Sequence, residues 1–314
     1  MPKERSPWLL LVGPTGVGKS QVAEGVALSM GAEILVADSR QVYCGMDIGM
    51  NKPSKVAQRR VRRRLIDLVP PDTLFSAGAY WKIAEATIAE MTAARAPFLI
   101  EGGTGLYVRA LIDGLWEGPP ADWALRQRLR AQEEAEGAGA LHRQLALRDA
   151  TAADAIAPRD LPKIIRALEV HRLTGHTLSE WHRAHRTARV RRPCTLIGLR
   201  RTRDDLYRRL ETRVDQQLAA GLVEETTRFA HLSPDLPSMR GLGYRQMLPY
   251  VRGERSLDEA VTLLKRDTRH YAKRQMTWFA RDPDVHWLDL AEDEPVLKTV
   301  ERVQGVLQGG GQHA

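Results

Sequence analysis

A glycine-rich loop followed by lysine and serine lies near the amino terminus. Residues 13–20 read Gly-Pro-Thr-Gly-Val-Gly-Lys-Ser and match the pattern G-x-x-x-x-G-K-[ST], between an apolar segment and a helical pattern. In that setting successive backbone N–H groups point inward and cradle phosphate groups. Lys19 would add a positive charge, and the Ser20 hydroxyl would ligate Mg²⁺. The predicted phosphate site therefore comprises Gly13, Pro14, Thr15, Gly16, Val17, Gly18, Lys19 and Ser20.

An aspartate directly follows the next predicted strand. Asp38 comes after the apolar residues 33–37. Because ligands of parallel sheets bind at the carboxyl ends of strands, we expect Asp38 on the same edge as the phosphate loop. A carboxylate in that place either holds a metal through water or accepts a proton from a nucleophile. The alternative is that Asp38 caps the helix that follows.

A third apolar segment, residues 97–100, ends in a glutamate and two glycines. Nucleotide hydrolases commonly end such a strand in an aspartate that holds Mg²⁺, whereas this strand ends in Glu101. The pair Gly102-Gly103 permits close approach of a ligand, and Thr104 would present a hydroxyl to it. A tight turn between strand and helix would require the same glycines.

The elements that position these groups alternate between strands and helices. Strands are predicted at 8–12, 33–37, 97–100, 194–199 and 286–290, and helices at 19–30, 204–218 and 256–279. This order predicts an α/β fold, a P-loop NTPase-like parallel sheet core flanked by helices. Residues 119–193 contain no strand pattern and show helical periodicity at 122–145 and 162–173, which predicts an all-helical insertion domain. The core would comprise residues 1–118 and 194–304, followed by a flexible tail at 305–314.

The composition is that of an ordinary globular protein. Of 314 residues, 43% are hydrophobic and 27% are charged. The two cysteines, Cys44 and Cys194, exclude a disulfide framework and a four-thiolate metal site, and they suit a reducing cytoplasm. The apolar runs are much shorter than the roughly 18 residues that cross a bilayer. We therefore expect a cytoplasmic protein that has no membrane partner.

Positive charge is concentrated in the carboxyl-terminal half. Residues 186–281 contain 21 basic and 11 acidic residues, a net charge of +10, while the whole chain carries +8. Such a surface binds polyanions by releasing their counterions. The alternative is an ordinary solvated helical face. A second basic run, residues 59–64, is too dense for pairing within a helix and is predicted to contact phosphates.

In its ordered set of motifs the chain resembles tRNA dimethylallyltransferases, also called tRNA isopentenyltransferases. The resemblance covers residues 10–288, and its motifs are the phosphate loop and residues 38–43, 46–49, 52–53, 65–67, 75–77, 102–107, 166–170, 243–246 and 272–279. Three places depart from the family pattern. Arg63-Arg64 replaces a histidine pair, residues 157–160 read Ala-Pro-Arg-Asp instead of His-Pro-Asn-Asp, and Lys163 replaces an arginine.

The resemblance implies a prenyl transfer to tRNA. A dimethylallyl group would pass from dimethylallyl diphosphate to the exocyclic amine (N6) of adenosine 37, giving N6-isopentenyladenosine in tRNAs that read codons beginning with U. Asp38 would be the general base, and Thr104 would contact the bridging oxygen or place the adenine. Lys19, with Mg²⁺ on Ser20, would stabilise the leaving diphosphate. Either Arg209 or Arg213 would also reach it.

The resemblance also implies the surface that holds the anticodon stem-loop of tRNA. The chain is expected to act as a monomer on this partner, and Tyr271, Trp278, Phe279 and Trp287 are expected to pack in the core rather than stack on bases. The predicted tRNA contacts are Asp38, Ser39, Arg40, Gln41, Thr104, Arg126, Lys163, Arg166, Gly243, Tyr244, Arg245, Gln246, Lys273, Arg274 and Gln275.

Two other classes of protein also contain a phosphate loop of this kind. A kinase of small metabolites or nucleotides would use Asp38 as a base towards a hydroxyl, but the basic carboxyl-terminal half would have no role in it. A non-catalytic, RNA-binding NTPase switch would not need Asp38. Binding of dimethylallyl diphosphate without ATP turnover separates the prenyl transferase from the kinase.

Overall fold

The structure is a computed structural model that describes residues 8–116, 118–188 and 191–309. The chain divides into two compact units, one formed by residues up to Ile112 together with those from Arg192 onward, and the other by Asp113–Arg191. The predicted insertion at 119–193 differs from the second unit by a few residues at each end. None of the helices among the described residues is long and apolar enough to cross a membrane.

The elements follow one another in the predicted alternation. They are β1 (Trp8–Val12), α1 (Lys19–Met30), β2 (Glu33–Ala37), α2 (Lys55–Arg60), β3 (Arg63–Arg64), α3 (Ala77–Ala93), β4 (Phe98–Gly102), α4 (Gly105–Asp113), α5 (Trp123–Glu136), α6 (Ala140–Ala146), α7 (Ala150–Ala155), α8 (Leu161–Thr174), α9 (Leu178–Ala188), β5 (Cys194–Arg200), α10 (Arg203–Ala219), α11 (Leu222–Arg228), α12 (Tyr244–Val251), α13 (Leu257–Phe279), β6 (Val285–Asp289) and α14 (Val296–Gly309).

The larger unit is built on one parallel sheet of six strands in the order β3-β2-β4-β1-β5-β6. Alternate residues of each strand enter separate cores. Leu9 and Leu11 of β1 pack with residues of α1, α10 and α14, whereas Leu10 and Val12 pack with residues of α3 and α4. Apolar residues on both faces explain why the strands read as continuous hydrophobic runs. The predicted α/β fold is confirmed.

The register brings the carboxyl ends of three strands to one level. Gly102 of β4 lies opposite Val12 of β1 on one side and opposite Ala37 of β2 on the other. The residues that follow are Gly13, Asp38 and Gly103, and they therefore share one edge of the sheet, which we call the rim. Any ligand bound at this rim meets the phosphate loop, Asp38 and the glycine turn together.

Helices α10 to α13 add a further layer to the larger unit. They bury their own apolar cluster, which includes Val214, Leu222, Met247 and Leu264. Helix α13 begins with a capping box in which Ser256 and Glu259 bond reciprocally to each other's backbone N–H, at 3.3 and 3.1 Å. The helix then runs for 23 residues, which carries its last turns to the rim.

The basic run at residues 59–64 is largely neutralised within the protein. Residues 63 and 64 form the short edge strand β3, and the Arg63 side chain is only 1% exposed. The prediction that this run contacts phosphates is therefore wrong for Arg63 and Arg64, because glutamates from neighbouring elements occupy their guanidinium groups. The pairs are Arg60 with Glu24, Arg62 and Arg64 with Glu33, Arg64 with Glu90, and Arg63 with Glu101.

The carboxyl-terminal residues are more ordered than the sequence indicates. A flexible tail was expected from residue 305, but helix α14 continues to Gly309. Val303 is fully buried, and Val306 and Leu307 pack against the same core cluster, so the helix gains apolar contacts for one further turn. Residues 310–314 lie outside the described part of the chain.

In its described residues the smaller unit contains helices and connecting loops. Its core includes Leu129, Leu141, Ile164 and Leu168. The helical periodicity predicted over residues 122–145 is divided between α5 and α6, because Gly137 and Gly139 adopt positive φ values of 89° and 88° between them.

Candidate active site at the sheet rim

A cavity of about 780 Å³ opens at the rim of the larger unit. Its size falls within the roughly 300–1,000 Å³ of small-molecule sites. The phosphate loop and Asp38 line it, together with residues of α10 and α13. The rim predicted from strand order is therefore the wall of a real cavity, and its lining is strongly polar and charged.

The phosphate loop has the shape that its glycines predict. Gly18 has φ of 108°, a conformation that side chains disfavour, and α1 begins directly after it. Lys19 Nζ donates a hydrogen bond to the Pro14 carbonyl at 2.8 Å, so the ammonium group lies across the loop. Burial lowers the pKa of Lys19 to about 8, while the carboxylates of Glu101 and Asp38 oppose that shift.

Two arginines of α10 contact the loop. Arg209 Nε donates to the Gly16 carbonyl at 3.0 Å, and Arg213 donates to the Thr15 hydroxyl at 2.7 Å. The two arginines are one helical turn apart and therefore share a face of α10. Burial, and secondarily the charge of Arg209, lowers the pKa of Arg213 to about 10. Both arginines therefore lie against the loop, and contact of either one with a diphosphate stays a prediction.

Asp38 begins a turn rather than a helix. Its Oδ1 accepts a hydrogen bond from the Arg40 N–H at 2.8 Å, and the next helix, α2, starts only at Lys55. The expected alternative of a helix cap is therefore wrong. The neighbouring Ser39 N–H donates to the Thr104 hydroxyl at 3.0 Å. This bond holds the Asp38 turn against the Gly102-Gly103-Thr104 turn.

Gln275 of α13 joins the loop to the glycine turn. Its side-chain carbonyl accepts from the Thr15 N–H, and its amide donates to the Gly103 carbonyl, both at 2.8 Å. A side chain on Gly103 would overlap this amide, which explains the glycine. Gln275 was predicted to contact tRNA, but it is 6% exposed and both ends of its amide are engaged within the protein. We assign it a structural role.

Tyr271 lies in the cavity, one helical turn before Gln275. Burial, and secondarily the charge of Asp38, raises the pKa of Tyr271 to about 12, while a hydrogen bond with Thr104 opposes the shift. The sequence reading placed this aromatic residue in the core. Its position four residues before Gln275 could have indicated that it lies near the phosphate loop, because helix residues at that interval share a face.

The comparisons with known proteins decide the family. The model of the family described as IPP transferase matches residues 41–282. The tRNA dimethylallyltransferase 2 of Geotalea uraniireducens is 44% identical over 286 residues, which cover 90% of this chain and 92% of the relative. The chain belongs to the IPP transferase family. The family predicted from the motifs is thereby confirmed.

Solved structures of this family share the fold. The full-length tRNA isopentenylpyrophosphate transferase of Bacillus halodurans superimposes with a TM-score of 0.69 at 34% identity, covering 98% of this chain and 99% of that one. A eukaryotic dimethylallyltransferase crystallised while acting on tRNA gives a TM-score of 0.74 at 22% identity, covering 91% and 74% of the two chains. The second likeness shows the fold alone.

Several motifs of the IPP transferase family serve internal contacts here. The Tyr244 hydroxyl donates to Glu225 at 2.5 Å, and the same carboxylate accepts from the N–H groups of Asp47, Ile48 and Gly49 at 2.9–3.0 Å. Tyr244 is fully buried. The prediction that it contacts tRNA is wrong for this structure, because its polar atom and its ring are both covered.

The neighbours of Tyr244 divide between internal and surface positions. Gln246 is 3% exposed, accepts from the Gly243 N–H at 3.1 Å and donates to Asp267 at 2.9 Å, so its predicted tRNA contact is also replaced by internal bonds. Arg245 is exposed and pairs with the same aspartate at 2.7 Å. Lys273 and Arg274 are exposed on α13, and Arg274 also lines the cavity.

The predicted tRNA contacts of the smaller unit include two arginines that share one buried carboxylate. Arg126 and Arg166 donate to Glu169, which is fully buried, at 2.8 and 2.5 Å. These bonds and that to the Asp122 N–H overcome desolvation and lower the pKa of Glu169. Lys163 is exposed and pairs with Asp160 at 2.5 Å.

Proposed function

We propose that this protein transfers a dimethylallyl group from dimethylallyl diphosphate to N6 of adenosine 37 in tRNA. The observation that carries the proposal is the shared cavity, in which a phosphate loop and the Asp38 carboxylate line one rim. The names of the relatives, tRNA dimethylallyltransferase and tRNA isopentenylpyrophosphate transferase, support both substrates. The proposed product is N6-isopentenyladenosine in tRNAs that read codons beginning with U.

The transfer is a substitution at the first carbon of the prenyl group. The N6 lone pair forms a bond to that carbon, the carbon–oxygen bond breaks, and both of its electrons leave with the diphosphate. The proton on N6 passes to the Asp38 carboxylate, which acts as general base. Thr104, bonded to the Asp38 turn, contacts the bridging oxygen or places the adenine. Lys19 and the two α10 arginines stabilise the charge that builds on the diphosphate.

The residues present fit a divalent cation that arrives with the diphosphate. Across residues 8–116, 118–188 and 191–309, no three histidine, cysteine or acidic side chains come together as a ready metal site. Ser20 would supply a hydroxyl, and the diphosphate would supply the remaining anionic ligands. Mg²⁺ bound there would neutralise part of the charge of the leaving group.

An adenine beside the anticodon must leave its stack to enter the cavity, at a cost of a few kcal/mol. The basic residues between 186 and 281 would supply that energy by holding the phosphates of the stem-loop. The central contacts in this proposal are the exposed Lys273 and Arg274 of α13, and Arg274 and Arg245 both line the cavity. The protein would act as a cytoplasmic monomer.

The experiment is incubation with labelled dimethylallyl diphosphate, Mg²⁺ and an unmodified anticodon stem-loop, followed by nucleoside analysis. We expect N6-isopentenyladenosine at position 37. In Asp38→Asn the transfer rate should fall about 100-fold or more, since general base catalysis contributes about 10²–10⁴. Asp72→Asn, on an exposed loop, is the matched control. ATP turnover without prenyl transfer would instead identify a kinase or NTPase.

A further inference from the structure

Glu101 is a buried carboxylate that the proposed transfer does not use. It ends the apolar part of β4, is 3% exposed and lines the cavity. Its Oε1 accepts a hydrogen bond from Arg63 at 2.7 Å, whereas Oε2 has no hydrogen-bond partner among the described residues. Because a buried oxygen without a close hydrogen bond is costly, Oε2, with the Ser20 hydroxyl near the same carboxyl, leaves room for a ligand between them.

The place of Glu101 in the sheet indicates what that ligand is. Strand β4 lies beside β1, and Glu101 is in register with Leu11, two residues before the phosphate loop. Glu101, Lys19 and Ser20 line the same cavity. Burial raises the pKa of Glu101, while the charges of Arg63 and Lys19 and the neighbouring Ser20 hydroxyl oppose that shift. In phosphate-loop proteins the cation is shared by the loop serine or threonine and a carboxylate from a neighbouring strand. Glu101 occupies that second position.

Arg63 fixes the orientation of this carboxylate. One guanidinium nitrogen bonds to Glu101 Oε1, and another donates to the Ser20 carbonyl at 3.3 Å and lies 3.4 Å from Glu24. The guanidinium therefore ties β3, β4 and the start of α1 together. It engages one carboxylate oxygen and leaves the other without a hydrogen bond among the described residues.

We propose that Glu101, together with Ser20, holds the divalent cation that accompanies the diphosphate, and that Arg63 is a positioning residue for it. The inference rests on the proposed diphosphate site. It assigns to this glutamate the place that an aspartate commonly holds in nucleotide hydrolases. The site is completed by the oxygens of the diphosphate, so cation and diphosphate should bind with strong mutual dependence.

The test measures how strongly Mg²⁺ and a diphosphate favour each other's binding, and it requires no catalysis. Inorganic pyrophosphate is titrated calorimetrically into the full chain, with and without Mg²⁺, and the ratio of the two dissociation constants gives the coupling. Glu101→Gln should reduce this coupling by at least about tenfold, the loss that follows even from removing a group that only orients a metal ligand. Its metal-free affinity should stay equal or tighten, because a negative charge near the loop is removed.

Two further variants separate the cation role from a structural one. Glu33→Gln removes a carboxylate that pairs with Arg64 at the other end of the sheet, and it should keep the coupling of the unmodified chain. If Glu101→Gln does not fold, Arg63→Met with Glu101→Leu replaces the buried pair by apolar side chains, which is often tolerated. This double variant should also lose the coupling.

The outcomes that overturn the inference are distinct from those that overturn the proposed function. Unchanged coupling in Glu101→Gln, or in the double variant, would refute the role of Glu101 and leave the diphosphate site standing. A lowered melting temperature with unchanged coupling would show that the glutamate is structural only. If the unmodified chain fails to bind pyrophosphate, with or without Mg²⁺, both the diphosphate site and the cation site are wrong.

Discussion

The backbone N–H of Thr15 donates to the side chain of Gln275 at 2.8 Å, across 260 residues of sequence. This bond attaches the last turns of α13 to the phosphate loop. The second bond of the same side chain, to the Gly103 carbonyl, attaches them to the glycine turn as well. A helix that carries exposed basic residues is thereby bonded directly to the proposed diphosphate site.

Removing this bridge should weaken the loop. In Gln275→Ala the Thr15 N–H and the Gly103 carbonyl lose their partner, and one such buried group costs about 1–3 kcal/mol. We expect a lower melting temperature and a pyrophosphate affinity weaker by about tenfold. Gln304→Ala is the control, because its amide donates to the Ser29 hydroxyl at an exposed position far along the chain from the loop. If calorimetry gave the two variants the same melting temperature and the same pyrophosphate affinity, the bridging role of Gln275 would be contradicted.

The lowered pKa of Lys19 predicts how diphosphate binding depends on pH. At pH 7 the ammonium is charged, but above about pH 8 the free protein loses that proton, and binding must restore it. Dimethylallyl diphosphate is already fully ionised there, because such phosphates have a pKa near 6. Its affinity, measured without tRNA, should fall by up to about tenfold per pH unit above pH 8.

Lys19→Arg tests the origin of this pH dependence. Arginine keeps its charge throughout the range, so the affinity of the variant should be nearly flat between about pH 7 and 9, below the pKa of about 10 of Arg213. A fall of the same size in the variant would assign the titration to another group.

The buried hydroxyl of Tyr244 should matter for stability rather than for tRNA. Tyr244→Phe removes one donor to Glu225 but leaves the three backbone N–H donors in place. We expect a loss of about 1.5–3 kcal/mol in the free energy of unfolding, as for a hydrogen bond to a charged group. The affinity for the anticodon stem-loop should stay within about twofold, measured by filter binding. Tyr250→Phe, on the same helix, is the control.

The exposed pair on α13 should carry tRNA phosphates. Replacing Lys273 and Arg274 by alanine should weaken binding of the stem-loop and lower its salt dependence by about two units in the log–log slope. Lys82→Ala with Lys298→Ala removes the same charge from exposed positions of α3 and α14, outside the basic runs, and should leave the slope unchanged. An unchanged slope in the α13 variant would show that this face is merely solvated.

The sequence predicts most of the architecture because the decisive signals are local. The bounds of β1, α1 and β2 match the expected ranges, since continuous apolar runs and a glycine loop mark them without reference to distant residues. The two-residue strand β3 was missed for the opposite reason. Its arginines are polar, and they join the sheet only because glutamates of other elements neutralise them.

The same distinction applies to the candidate site. The phosphate loop and Asp38 can be predicted because each lies in one short segment with its own pattern. The hydrogen-bond partners of Gln275, Arg213 and Arg63 lie 38 to 260 residues away in sequence, so no local pattern predicts them. A resemblance to family motifs identifies important residues but does not show which of them face a substrate. Gln246 and Tyr244 belong to a recognised motif, yet their bonds stabilise the protein from within.

The larger unit consists of two chain segments, one ending at Ile112 and the other beginning at Arg192, and these two ends are bonded to each other. Arg192 donates its N–H to the Ile112 carbonyl at 2.9 Å, so a backbone hydrogen bond joins the residues that flank the intervening segment. A loop pinned at its base can change in length or be exchanged with little strain on the scaffold that bears it. The segment between Ile112 and Arg192 can therefore change in length or sequence while the strand order of the larger unit stays the same.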